Sequence, residues 1–136
     1  MTRVDGKDRD YVKAVDDALN SFEILDNILQ GIDNGPDYRQ TIQQIIYNLQ
    51  NIKSDRRLRT RSVMDNITRV TYTAREMFPY LRHYRSNRLK ACIGFSKKQR
   101  TCNDLFRQLQ EREYMLETSL NSLQPLVYDP SNPTNI

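Results

Sequence analysis

The chain has 136 residues, 38% apolar and 28% charged, with 21 Lys and Arg against 17 Asp and Glu and a formal charge of +4. That length suits one domain, and no uninterrupted apolar run approaches the roughly 18 residues a membrane-spanning helix needs. Four glycines and two cysteines argue against a turn-rich sheet protein and against a disulfide-stapled secreted scaffold.

The first ten residues are charged and lack an apolar core, so no secretory signal is read there. The expectation is a reduced, cytoplasmic protein, with peripheral membrane attachment as the alternative. A first helix is predicted over residues 9–30. Val12, Val15, Leu19, Phe22, Leu25, Leu29 and Ile32 recur at steps of three or four, the period of one helix face. Gly31 and then Asn34-Gly35-Pro36 should end it. The second helix is predicted over 38–53, capped by Asp37 with Gln40 three residues on. Its stripe is Ile42, Ile45, Ile46, Leu49 and Ile52.

Ser54-Asp55 reads as the start of a third helix over 56–83. Val63, Met64, Ile67, Val70, Ala74, Met77, Phe78 and Leu81 keep its period, and Pro79 predicts a kink or break. Asn66-Ile67-Thr68 is formally a glycosylation sequon, read as chance inside a helix. Residues 87–95 read as a short helical turn ended by Gly94. The fourth helix is predicted over 102–123, with Cys102, Leu105, Phe106, Leu109, Leu116, Leu120 and Leu123 on its stripe and a gap at Arg112-Glu113. Residues 125–136 are turn-rich, an irregular tail or linker stub, which leaves 1–124 as the domain. Short connections favour antiparallel neighbours. The expected fold is therefore all-α: an up-down antiparallel four-helix bundle with a short extra helical turn between helices 3 and 4. A three-helix bundle with a hanging fourth element is the alternative.

Catalytic chemistry finds no foothold in these residues. His83 is the sole histidine, set among arginines near a helix end, and reads as a surface residue. Cys92 and Cys102 have neither CxxC spacing nor a histidine partner and read as core thiols. No phosphate-binding glycine loop, HExxH or GxSxG pattern occurs. Glu113 and Glu117 share a helix face and read as solvated. No catalytic residue, metal ligand, cofactor or small-molecule substrate is assigned.

Charge is distributed unevenly. Residues 1–37 hold nine acids and four basic residues, a net of −5, while residues 38–136 carry +9. One basic cluster is Lys53, Arg56, Arg57, Arg59 and Arg61, at the join of the second and third helices. The other is Arg82, Arg85, Arg88, Lys90, Lys97, Lys98 and Arg100, in a stretch from Met77 to Asn103 that contains no acid. Arg82 and Arg85 also suit a helix carboxyl terminus, where they oppose the macrodipole. The second cluster is the primary candidate for binding an anionic partner, and the first is secondary. An acidic protein or an anionic membrane fits them. Nucleic acid fits less well, because Phe78, Tyr80, Tyr84 and Phe95 fall on or near the core stripe rather than free to stack on bases.

Arg85-Ser86-Asn87, a short turn, then Asp104-Leu105-Phe106-Arg107-Gln108-Leu109 and Leu116 to Leu120 resemble the third-to-fourth helix region of the HeLo-type killer bundles. These include the amino-terminal four-helix domains of the mixed-lineage kinase domain-like family. The resemblance implies a bundle that oligomerises and engages phosphoinositide-rich membranes in necroptosis-like cell death. The cluster from Arg82 to Arg100 would then supply the lipid contacts. The first two helices carry no matching residues. Taken from the residues themselves, the leading expectation is a non-catalytic interaction module, an adaptor or assembly subunit that binds protein partners or self-associates. The membrane-engaging bundle stands as the alternative.

Overall fold

The structure, a computed structural model, describes residues 6–31, 35–86 and 95–127, with the side chains of 6–31, 38–81 and 100–123. Among these residues it is all-helical, with four α-helices and no strand. They are α1 (Gly6–Gln30), α2 (Gly35–Ser54), α3 (Arg61–Ser86) and α4 (Phe95–Val127), with a 3-10 turn at Arg56–Leu58 between α2 and α3. One hydrophobic core draws side chains from all four helices.

The apolar stripes explain the helices and their facing. On α3 every expected stripe residue is buried except half-buried Phe78. On α4 the stripe from Cys102 to Leu120 is buried and Leu123 half-buried. On α2, Ile42, Ile45, Leu49 and Ile52 are fully enclosed, whereas Ile46 is half-buried. The face of α1 differs most from expectation. Val12 and Leu19 are half-buried, while Ala18 and Ile28 join the core. The reason is that α1 packs on both α2 and α3, so a wider arc of its surface is covered than a single stripe would need.

α3 also packs along α4, and α2 touches α4, but the consecutive helices α2 and α3 make little contact. Asp26 on α1 pairs with Arg39 on α2 at 2.9 Å. The Tyr38 ring of α2 stacks on Phe106 of α4 with centroids 4.1 Å apart, and its hydroxyl bonds Asn103. Asn66 of the sequon is buried, its amide donating to Ser119 Oγ of α4 at 3.2 Å.

Several boundaries differ from the sequence expectation. α1 begins at Gly6 and α4 at Phe95, each earlier than its apolar stripe requires. Gly35 and Pro36 open α2 instead of closing α1, and Asp37 lies inside the helix rather than capping it. A proline in the first turn loses only a donor that has no helical partner there. The third helix starts at Arg61, because two caps lie close together. Asp55 accepts the Arg57 N–H and caps the 3-10 turn. Thr60 Oγ1 then accepts the Val63 N–H and caps α3. α3 runs on through Pro79. Burial of Met77 and Leu81 on either side offsets the roughly 3 kcal/mol that an internal proline costs. α4 reaches Val127, so 125–127 are helical and not irregular. Ile32, residues 87–94 of the turn expected over 87–95, and the tail from 128 onward lie outside the described residues, and Phe95 opens α4.

Candidate interaction surface

The first basic cluster sits at the joint between α2 and α3, and much of it is spent inside the fold. Arg59 is the keystone, its side chain only 7% exposed. It makes a two-pronged ion pair with Asp8 of α1, at 2.9 and 3.2 Å. Its Nη1 donates to the carbonyls of Ile52 and Lys53, both at 2.9 Å. Those carbonyls end α2 and have no helical partner. Lys53 pairs with Asp16, and Arg57 with Asp55. The Arg59 hydrogen bond holds Asp8 below the ordinary carboxylate range, and the charges of Arg59 and Arg56 pull the same way. The Arg57 side chain and its backbone N–H do the same to Asp55. Of the five residues, exposed Arg56 and Arg61 make no ion pair among the described residues.

The second cluster is placed by the backbone. Arg82 and Arg85 are in the last turns of α3, and Lys97, Lys98 and Arg100 in the first turns of α4. Arg100 is exposed. The side chains of the other four, and Arg88 and Lys90 altogether, lie outside the described residues, as do Cys92 and the His83 side chain.

Sequence reading missed a third arrangement, along the outside of α3. Arg61, Asp65 and Arg69 recur every four residues, all exposed, about 6 Å apart along one stripe. With Ser62, Asn66 and, from α4, Met115 they line an open groove of about 400 Å³. Arg112 of α4 crosses to the carbonyl of Arg69 at 3.3 Å and holds the two helices together there. One turn beyond Arg69 stands Tyr72, 63% exposed, and Met115 is 50% exposed. Arginine, tyrosine and methionine are the residue types enriched where proteins meet. A search for runs of like charge cannot find this stripe, because its signs alternate. A search for charges repeating at four-residue steps would have found it.

The remaining reactive groups belong to the core or its edge. Cys102 is buried, and desolvation pushes its thiol up to about 11. It is a core residue with little thiolate character at neutral pH. Glu113 departs from the solvated reading. It is half-buried, and burial, with a hydrogen bond and repulsion from Glu117, raises its carboxyl to about 7. Among the described residues no group of three or more His, Cys, Asp or Glu is placed to hold a metal ion, and no helix is long and apolar enough to cross a membrane. No protein-family model matches the chain, and neither a curated protein nor a solved structure is significantly similar to it.

Proposed function

We propose that this chain is a cytoplasmic, non-catalytic interaction module that docks a protein partner on the outer surface of α3 and the adjoining edge of α4. One observation carries the reading. Exposed Arg61 and Arg69, in no ion pair among the described residues, line a groove together with exposed Met115, and exposed Tyr72 stands one turn beyond Arg69 on the same helix. Because these groups stand on helices already ordered, binding has to fix only their side-chain rotamers and not the backbone that carries them. The scaffold under this surface is taken to be an up-down four-helix bundle. Asp16 pairs with Lys53 in the last turn of α2, and Asp26 further along α1 pairs with Arg39 near the start of α2, so the pairs run in opposite order along α1 and α2. Asn66 with Ser119, and Arg69 with Arg112, run in opposite order along α3 and α4. Both pairings support alternating helix directions.

Capture from a cell extract tests the reading. The native chain should retain proteins that a Tyr72→Ser, Met115→Glu double variant does not, with circular dichroism of the two unchanged. Identical captured sets would overturn it.

A second reading, a membrane-engaging bundle of the killer type, is favoured by the acid-free stretch from Met77 to Asn103 with its seven Lys and Arg. The chain's connectivity draws the end of α3 and the start of α4 to one pole. Each basic residue near an anionic surface contributes about 1 kcal/mol. Sedimentation with phosphoinositide-containing vesicles, lost in Arg88→Glu, Lys97→Glu, Lys98→Glu, would support it. Equal indifference to anionic and neutral vesicles would remove it.

A further inference from the structure

The outer surfaces of α1 and α3 carry charges in opposite order. On α1, Asp10, Lys13 and Asp17 follow one another at steps of three and four residues and read minus, plus, minus. On α3, Arg61, Asp65 and Arg69 read plus, minus, plus. All six side chains are exposed, and none is in an ion pair among the described residues.

Two contacts fix how α1 and α3 stand beside each other. Arg59 meets Asp8, 51 positions away, and Arg75 Nε donates to Ser21 Oγ, 54 positions away. Asp10 and Arg61 are separated by 51 positions, and Lys13–Asp65 and Asp17–Arg69 by 52 each. The two charge triplets therefore lie at one height on neighbouring helices that run the same way. They sit side by side, complementary, and still unpaired.

We propose that the occupant of this surface is a second copy of the same chain, in a two-fold dimer that lays α1 of each copy on α3 of the other. This inference rests on the interaction reading above and names its partner. A two-fold axis parallel to the helices exchanges α1 and α3 without changing height. It sets Asp10 against Arg61, Lys13 against Asp65 and Asp17 against Arg69, and it does so twice, as a self-complementary interface requires. Exposed ion pairs contribute little singly. Here they act as a set, alongside Ile24 on the α1 stripe and Tyr72 on α3, 39% and 63% exposed. The charge pattern sets the alignment, and the apolar pair adds area removed from water.

Sedimentation of the full chain tests the dimer. At low ionic strength it should sediment as a dimer, and it should dissociate near 1 M salt, where the screening length falls to about 3 Å. Asp10→Lys with Asp17→Lys, and separately Arg61→Glu with Arg69→Glu, should each give a monomer at low ionic strength, with a thermal melt near 1 M salt that matches that of the native chain there, where both are monomeric. Mixed in equal amounts, the two variants should recover a heterodimer, because each reversed face then meets a face of opposite sign. A native monomer at low salt, dimers that persist in both variants, or a mixture that stays monomeric each overturn the proposal. A melting temperature below that of the native chain near 1 M salt, where neither is dimeric, also overturns it, by assigning the charges to packing within one chain. The extract experiment reports separately on any other partner, so loss of the dimer and loss of the interaction reading are told apart.

Discussion

The joint between α2 and α3 and the outer stripe of α3 are built from the same residue type and use it in opposite ways. Arg59 and Arg61 are two positions apart. The first is enclosed, bound to a carboxylate and to two carbonyls that end a helix; the second faces solvent beside a groove. The difference comes from what each guanidinium can reach. A side chain at a helix end meets backbone groups that need partners, whereas one on the outer face of a helix meets only its own neighbours and water. A basic cluster in a sequence is therefore not one object. Its members divide between holding the fold and remaining available to something else.

The comparison can be broken or sharpened by substitution. If the outer stripe of α3 is available surface, stability should come from the core beneath it. Leu109→Ala or Ile67→Ala should each cost about 2–5 kcal/mol in chemical denaturation. Ile46→Ala, at a half-buried site, should cost clearly less. Equal costs at all three would show that burial does not separate these sites.

Arg59→Ala should come next, at about 2–4 kcal/mol, because it strands the carbonyls of Ile52 and Lys53 as well as Asp8. A melt like that of the native chain would dissolve the distinction between the joint and the stripe. Below the ordinary carboxylate range the joint should weaken in any case. Asp8 and Asp55 titrate lower in the folded chain than in the unfolded one, so their contribution is lost as pH falls through the folded values.

Glu113 should act in the reverse sense. Its folded value of about 7 lies above the usual 4.5. Across that window the folded chain keeps a proton that the unfolded chain releases. The melting temperature should therefore rise as pH is lowered from 8 to 6, and Glu113→Gln should flatten that slope. The smallest effect is expected on the stripe itself. Arg61→Gln and Arg69→Gln should each change stability by no more than about 0.5 kcal/mol, while altering association.

Much of the fold was legible because the apolar spacing is regular. The stripes of α3 and α4 emerge almost residue for residue. The joint was less legible, although its signals are present: Asp55 and Thr60 are both capping residues, and a helix started at the first and drawn straight on hides the second. The width of the buried face of α1 depends on having two neighbours, which no local pattern states. The complementarity between Asp10-Lys13-Asp17 and Arg61-Asp65-Arg69 needs the relative height of two helices, which only contacts such as Arg75 with Ser21 supply. Counting charge by region cancels both triplets to nearly nothing.

One consequence follows from where Glu113 stands. Cys102, Phe106, Leu109, Glu113, Leu116, Leu120 and Leu123 are spaced by alternating steps of four and three, a strict seven-residue repeat. Such a helix can slide along its neighbours by about 10.5 Å and offer them nearly the same row of apolar side chains. Glu113 breaks that equivalence. A slide in one direction carries it into the place of Phe106, against Tyr38; a slide in the other carries it into the place of Leu120. Either burial of a carboxyl is costly. The one acidic residue in the row thus fixes the register of α4, and replacing it with leucine would make the row more apolar and its alignment ambiguous.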